Sequence, residues 1–204
     1  MTLSTQDQAR IGAAITAAEE KTAAELVCVL ARSSSSYGTM PLVWSLLPAF
    51  VLPWVLLAVT QWPVERILLA QLAVFALLLM LLSAPSIRTA LVPRAMQRSH
   101  AHRAAMEQFM IRGLARKPER TGVLIFVSQA ERYARIVADD GVASLVKQQE
   151  WQTAVDTLIA HMKKDEIADG FVSAIDQCSA LLEKAVPPRE GTRDVFSNRI
   201  YVID

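Results

Sequence analysis

Apolar and polar positions change their spacing several times along the 204-residue chain, and each change predicts a different element. Apolar residues first recur every three or four positions, which predicts a helix over about Thr5 to Lys21 with Thr5 and Gln8 in a capping box. The next run, Glu25 to Ala31 (ELVCVLA), is short, apolar and contains β-branched residues. This run predicts a buried strand.

Two long segments that follow carry no charged side chain. Pro41 to Thr60 and Ile67 to Ile87 each supply about the 20 residues that a helix needs to cross the hydrocarbon core of a bilayer. A helix of a small water-soluble domain is seldom apolar on every face over so many turns. Since the connection at 61–66 is too short to hold a domain, the pattern predicts an antiparallel transmembrane hairpin.

Beyond the hairpin, helical and strand patterns alternate. Because the first strand precedes the hairpin and the later strands follow it, the two parts must meet in space to bury the apolar face of one sheet. The predicted fold class is therefore α/β, a helix-covered mixed sheet interrupted by the hairpin. The expected elements are a helix at Pro93–Arg116, strands at Gly122–Ser128 and Arg132–Ala138, helices at Val142–Gln149, Trp151–Lys163 and Glu166–Ala185, and a docking strand at Arg199–Ile203.

This organisation divides the chain into four segments. Residues 1–38 hold the first helix and strand, 39–87 the hairpin, 88–186 the remainder of the domain, and 187–204 a C-terminal arm. Lys and Arg are enriched on the cytoplasmic flanks of membrane helices. Since Arg residues follow the second span and precede the first, both termini and the soluble domain should face the cytoplasm.

Composition and motifs exclude several kinds of chemistry. A formal net charge of +1 and the lack of a basic, aromatic stripe argue against nucleic acid as a partner. Cys28 and Cys178 lie in apolar stretches without metal-binding spacing, which favours buried thiols over a disulfide. The sequence has no GxSxG, Walker, HExxH or Cys-x5-Arg motif, so an enzyme would need an arrangement that no known motif reveals.

The main acidic cluster lies at the end of the second strand of the predicted β-hairpin. Asp139 and Asp140 precede Gly141, and Glu131 could join them from across the hairpin. Carboxylate oxygens are ligands that Ca²⁺ and Mg²⁺ prefer, so the three acids form a candidate metal site. The alternative is that Asp139 or Asp140 caps a helix N-terminus. No other cofactor is indicated.

A basic stretch from Arg88 to Arg120 holds eight Arg or Lys residues against two Glu residues. One hypothesis is that this stretch contacts the phosphate headgroups of an anionic inner leaflet. The alternative is that its charges only fix the topology of the hairpin and solvate a helix. The candidate headgroup ligands are Arg88, Arg94, Arg98 and Arg103.

Two segments on either side of the hairpin, AAEEKTAAELVCVLA and RTGVLIFVSQAERYARIVADDG, precede a tryptophan-led helix. Together they resemble the TPM domain family, in its bacterial form with a membrane hairpin. The resemblance implies a TPM-like helix-covered sheet. It rests on Glu19, Thr22, Glu25, Thr121, Gly122, Val123, Leu124, Ile125, Glu131, Arg132, Tyr133, Gly141 and Trp151.

The resemblance implies no single function. Members of the family are associated with acid phosphatase activity, photosystem repair and receptor modulation, and some related domains bind calcium through acidic loops, so fold and function are separate questions. Relatives often place an Asp before the glycine that opens the second strand. This chain has Thr121 before Gly122, and so lacks that plausible metal ligand.

The leading hypothesis is a membrane-tethered, non-enzymatic interaction or accessory module that acts with another membrane protein of the bacterial inner membrane. The alternatives are a divalent-ion-dependent phosphatase with an acidic site and a domain that binds anionic lipid headgroups. The lipid bilayer is the first expected partner. Gln71, within the second span, allows homodimerisation through a hydrogen bond between helices.

Overall fold

The computed structural model describes residues 3–35, 37–116, 119–188 and 197–203. The chain forms two compact units: unit 1 comprises Met1–Ser34 and Arg98–Asp204, and unit 2 comprises Ser35–Gln97. The helices are α1 (Thr5–Glu19), α2 (Thr39–Val59), α3 (Val64–Leu82), α4 (Pro85–Ala90), α5 (Arg94–Ile111), α6 (Asp140–Ala143), α7 (Gln148–Met162) and α8 (Ile167–Ala185), and a short 3-10 helix spans Leu114–Arg116; the strands are β1 (Glu25–Ala31), β2 (Gly122–Ser128), β3 (Tyr133–Ala138) and β4 (Ile200–Ile203).

A four-stranded mixed sheet lies at the centre of unit 1, which confirms the predicted fold class. Its strand order is β3-β2-β1-β4, with β1 parallel to both β2 and β4, and β2 antiparallel to β3. Every residue of β1 and β2 is buried, as expected for strands covered on both faces. These two strands have the bounds that the apolar runs predict.

Helices cover both faces of this sheet. On one face, α1, α7 and α8 form a core in which Ile15 and Phe171 pack with Ile125 of β2. On the other face, Phe109 of α5 packs with Phe126 of β2. Alternate residues of β2 therefore enter opposite cores, which follows from the two-residue period of a strand.

Two residues that contribute to the family resemblance connect α1, β1 and α8. The Glu19 carboxylate accepts a hydrogen bond from the Leu26 amide at 2.9 Å, and so joins the end of α1 to β1. The buried Thr22 hydroxyl donates to the Val186 carbonyl at 2.6 Å, just beyond α8. The Glu19 carboxylate thus provides a partner for a buried backbone amide, and Thr22 gives the Val186 carbonyl a second hydrogen bond beside the one from the Ala23 amide at 3.1 Å.

The predicted docking strand is present as β4, which adds to the free edge of β1. Gly12 of α1 makes room for the segment before it, since a Cβ atom there would lie 2.7 Å from the Asn198 carbonyl oxygen. The Arg112 guanidinium stacks on the Tyr201 ring, 3.6 Å from its centroid. Residues 189–196 of the predicted C-terminal arm lie outside the described residues.

Unit 2 contains α2 and α3, the two helices of the predicted hairpin. Both are long and apolar enough to cross a membrane by length and composition, with mean hydropathies of 2.2 and 2.1. Only 11% of the apolar window of α2 and 6% of that of α3 is buried. Pro48 and Pro53 lie inside α2.

Helix α1 is capped one residue earlier than the sequence pattern predicts. The Ser4 hydroxyl accepts from the Asp7 amide at 3.1 Å, and the Asp7 carboxylate accepts from the Ser4 amide at 3.3 Å. The predicted pair, Thr5 and Gln8, is wrong, although it has the same spacing and spacing alone cannot distinguish the two pairs. Asp7 has the further advantage of a negative charge at the positive end of the helix.

The helix predicted at Val142–Gln149 is also wrong. The short α6 ends at Ala143, and the backbone is extended at Lys147 before α7 begins. The Glu150 carboxylate accepts a hydrogen bond from the Lys147 amide at 3.1 Å, so α7 starts three residues before the predicted Trp151. This reach back from the first turn is a common device for starting a helix.

Two further helix ends differ from the prediction. The second apolar helix ends at Leu82 instead of Ile87, and a separate short helix begins at Pro85, where the backbone has no N–H group to continue the preceding helix. Helix α5 ends at Ile111 because Gly113 adopts the left-handed conformation, with φ of 72°.

Both cysteines are free and buried, as predicted. Burial raises the pKa of Cys28 well above its ordinary value and that of Cys178 to about 12. Because the thiolate is the reactive form, neither thiol should react with a water-soluble disulfide reagent at pH 8 in the folded protein, and both should react in denaturant. Colorimetric thiol titration measures this. A Gln149→Cys variant, at an exposed position, is the positive control, and fast native labelling of Cys28 or Cys178 would contradict the packing.

Candidate functional site

The acidic pair predicted from the sequence lies where β3 ends beside the start of β2. The Asp139 amide donates to the Gly122 carbonyl at 2.9 Å, which closes this end of the β2–β3 hairpin. The Asp139 side chain is 3% exposed, and its Oδ1 accepts from the Asp140 amide at 2.7 Å. Asp139 is the N-cap of α6, so the helix-capping interpretation is confirmed.

A third residue, Arg120, binds both carboxylates. Its Nε and Nη2 lie 3.1 and 2.9 Å from Asp139 Oδ1, and Nη2 lies 2.8 Å from Asp140 Oδ2. The hydrogen bond to Asp139 and the charges of both carboxylates raise the pKa of Arg120. One guanidinium therefore offsets one of the two negative charges of the pair, and a divalent cation bound by both carboxylates would have to displace it.

The backbone around Arg120 is specialised for this contact. Arg120 adopts a left-handed conformation with φ of 51°, which is uncommon for a residue with a side chain. Gly141 packs against it, since a Cβ atom there would lie 2.5 Å from the Arg120 carbonyl oxygen. The second carboxylate oxygen of Asp139 is buried and has no hydrogen-bond partner among the described residues.

Glu131, the third predicted metal ligand, lies in the β2–β3 turn at the other end of β3. The length of that strand separates it from Asp139 by roughly 25 Å along the chain. Its Oε1 accepts from the Ser33 hydroxyl and the Ser34 amide, both at 3.1 Å, and its Oε2 accepts from the Ser128 hydroxyl. No three His, Cys, Asp or Glu side chains among the described residues are close enough to share a metal ion.

The four candidate headgroup arginines do not form one cluster of contacts. Arg88 lies in α4, and the other three lie on α5, where they are exposed. Five residues of a helix turn through about 500°, so Arg103 points roughly 140° away from Arg98. His102 is four residues from Arg98 and shares its side of the helix.

A groove of about 660 Å³ runs along the outer edge of β3 in unit 1. Trp151 and Val155 of α7 line one side, and Arg98 and Met106 of α5 contribute to the other. We call this feature the β3-edge groove. It is absent from the sequence-based predictions, because it depends on β3 being the last strand of the sheet and on two helices that flank it.

Comparison with known proteins places these features in a family. Residues 84–181 match the family model of the TPM domain. This part of the chain is a TPM domain. It is also similar to the NMR structure of the BA42 protein from the psychrophilic bacterium Bizionia argentinensis, with a TM-score of 0.62 and 17% identity over 99% of this chain and 96% of that chain. At that identity the likeness shows the fold alone. A search of curated proteins finds no match.

The residues that match the family model include β2, β3, α6 and α7. They therefore include Asp139, Asp140 and the residues that line the β3-edge groove. Thr121, the residue before Gly122, is buried. Its hydroxyl donates to the Ala23 carbonyl at 3.2 Å. An ionised carboxylate could not make that donation, so Thr121 serves the packing of β1 against β2.

The geometry of the acidic end predicts that Asp139 stabilises the TPM domain. Asp139→Ala should lower the free energy of unfolding by roughly 0.5–2 kcal/mol, because it removes the helix cap. Asp140→Ala, at a side chain that is 78% exposed, is the matched control and should have a smaller effect. Chemical denaturation of the detergent-solubilised protein measures both.

The same variants test the predicted metal site. If Asp139 and Asp140 bind Ca²⁺ or Mg²⁺, then adding the ion should raise the midpoint of thermal unfolding of the parent protein and leave both variants unchanged. We expect no such ion-dependent difference while Arg120 occupies the pair. A clear rise that both Ala substitutions abolish would contradict this expectation and restore the metal site.

Proposed function

We propose that this protein is a membrane-tethered interaction module, in which α2 and α3 cross a lipid bilayer and the TPM domain acts with another membrane protein at its surface. The observation on which the proposal depends is the exposed apolar surface of both helices. Residues such as Phe50, Trp54, Leu72 and Met80 are 67–80% exposed. An apolar surface of that extent calls for a lipid or protein environment.

The core helix of a water-soluble protein and a signal sequence can also be long and apolar, but both fit this chain poorly. A core helix is mostly buried, whereas only 11% and 6% of these windows are buried. A signal sequence is removed from the N-terminus, but β1 precedes the hairpin and forms the middle of the sheet by pairing with both β2 and β4. Cleavage after the hairpin would remove that strand.

The details of the hairpin also support a bilayer environment. Pro48 and Pro53 within α2 would weaken an isolated helix in water, but neighbouring helices and local adjustment accommodate proline in membranes. The Arg residues that flank the hairpin support a cytoplasmic location for the TPM domain, and hence the inner membrane of a bacterial cell as the site of action.

An interaction role is favoured over hydrolysis by the state of the acidic residues. Arg120 binds both Asp139 and Asp140, and the oxygens of Glu131 accept three hydrogen bonds. A hydrolase would need a nucleophile or an activated water beside groups that stabilise phosphate charge. The open β3-edge groove, in contrast, offers a surface that can receive a partner.

Membrane insertion can be tested with paired charge substitutions. Leu72→Arg with Leu77→Arg places two charges in the middle of α3, and each should cost about 2.5–3.5 kcal/mol at the centre of a bilayer. Leu145→Arg with Met110→Arg, at exposed apolar positions of unit 1, is the matched control. Alkaline carbonate extraction of cell membranes should release the first variant and leave the parent and control in the pellet. Release of the parent protein would refute the proposal.

Orientation is tested with single cysteines and a maleimide that does not cross membranes. Gln61→Cys, between the two helices, should be labelled from outside the inner membrane in spheroplasts. Gln149→Cys on the TPM domain should be labelled only after the membrane is permeabilised. The reverse pattern would place the domain on the opposite side of the membrane.

A further inference from the structure

The outer edge of β3 presents backbone groups that no described strand pairs. Asp139 bonds to Gly122 of β2, and an antiparallel strand directs its backbone groups to alternate sides. Tyr133, Arg135 and Val137 therefore face β2 as hydrogen-bonded pairs. The N–H and C=O groups of Ala134, Ile136 and Ala138 point away from β2, into the β3-edge groove that these three residues line.

The walls of the β3-edge groove suit an added strand. Trp151, Val155 and Ile159 of α7 form an apolar wall beside β3. Ala134 and Ala138 have small side chains, which leave space next to the open edge. Exposed strand edges are templates for pairing with another extended segment, and backbone bonding then supplies affinity while flanking side chains supply specificity.

The charges along the β3-edge groove indicate the kind of segment. Arg98, Arg132 and Arg135 line it, with Asp156 as the one carboxylate among its lining residues. None of the three arginines forms an ion pair with another described residue. The Arg135 Nε atom is buried without a hydrogen-bond partner in the described structure, which is an unfavourable state that a bound acceptor would relieve.

His102, on the α5 side of unit 1, carries a second polar group of this kind. Burial and the nearby charge of Arg135 lower its pKa, and its Nδ1 atom is buried without a described partner. His102 and Arg135 therefore lie close enough for the charge of one to affect the other. Both belong to elements that line the β3-edge groove.

We propose that the β3-edge groove binds an extended, acidic segment of a partner protein as an additional strand beside β3. The inference deepens the proposed function, on which it rests, by naming the binding surface and the chemistry of the partner. A second copy of this chain fits less well, because antiparallel pairing of two β3 edges would bring arginines of like charge together. Lipid headgroups would bind the arginines but would leave the outward backbone donors and acceptors of β3 unpaired.

The test uses the full chain in nanodiscs of zwitterionic phosphatidylcholine. The probes are fluorescent hexapeptides that alternate acidic and apolar residues, with charge-reversed lysine versions and versions methylated on alternate backbone nitrogens. Fluorescence anisotropy should report binding of the acidic set, and weaker or no binding of the other two. Hydrogen exchange should slow at the amides of Ala134, Ile136 and Ala138 when the acidic peptide is bound.

Two variants separate backbone pairing from charge. Ile136→Pro removes an outward N–H without removing a hydrogen bond to β2, which an edge strand tolerates, and should weaken binding at least about tenfold. Arg98→Glu should also weaken binding by about tenfold and reduce its salt dependence. Lys164→Glu, an equal charge change at an exposed position outside the β3-edge groove, should leave affinity unchanged. Thermal unfolding checks that each variant stays folded.

Several outcomes would overturn the inference. These are a lack of binding by every acidic peptide, equal binding of the lysine peptides, or binding that neither Ile136→Pro nor Arg98→Glu weakens. Binding of phosphatidylglycerol vesicles through Arg98 without peptide binding would assign the charges to lipid instead. Carbonate extraction of the same variants reports membrane insertion separately. If no peptide binds the β3-edge groove but the chain stays in the membrane pellet, only the present inference is wrong. If carbonate releases the chain from membranes, the proposed function is wrong.

Discussion

The parallel pairing of β1 with β2 is the interaction on which the rest of the structure depends. The two strands are distant in sequence, and unit 2 lies between them along the chain. Their register joins Glu25 to Gly122 and continues without interruption to Ala31 and Ser128. Each strand brings side chains to both helical layers, so neither core could form on one of them alone. Pairing of strands so far apart in sequence costs conformational entropy of the intervening chain, and the contacts between the strands must offset that cost.

The pairing also fixes the point at which the chain leaves unit 1. The Gln129 and Ala130 amides donate to the Ala31 and Arg32 carbonyls at 3.0 Å, which extends the contact beyond the strand ends. Glu131 also accepts hydrogen bonds from Ser33 and Ser34, the two residues after Arg32. The β2–β3 turn thus holds the segment from which unit 2 begins. Glu131, a candidate metal ligand in the sequence, therefore bonds in the fold to the end of the segment that precedes unit 2.

At the opposite end of the β2–β3 hairpin, the acidic residue Asp139 also has a structural role. Asp139 caps α6 and is buried, and burial of a carboxylate is costly without a positive partner. That partner is Arg120, the residue before Thr121. Its backbone is left-handed, and Gly141 leaves room for it. Two acidic residues that suggest a metal site in the sequence therefore have a structural counter-charge. The β3-edge groove lies between these two ends, and Arg135, which lines it, has a buried Nε atom without a hydrogen-bond partner among the described residues.

The sequence predicts some of these features and not others for physical reasons. The strands β1 and β2 have the predicted bounds because short apolar runs between turn residues allow little else. The predicted capping box of α1 is one residue late because Ser4–Asp7 and Thr5–Gln8 have equal spacing. Strand order does not appear in local periodicity, so the exposed edge of β3 could not be found before the fold was known. Arg120 likewise meets Asp139 only because β2 and β3 are neighbours.

Native-state hydrogen exchange of the full chain in nanodiscs tests the central role of the β1–β2 pairing most directly. If that pairing closes unit 1, the amides of Leu26–Ala31 and Val123–Ser128 should open together, with one free energy that is the highest in unit 1. A destabilising change in either strand, such as Val29→Ala, should then lower the protection of both strands equally. Exchange of β1 that is faster than that of β2 and independent of it would contradict the account.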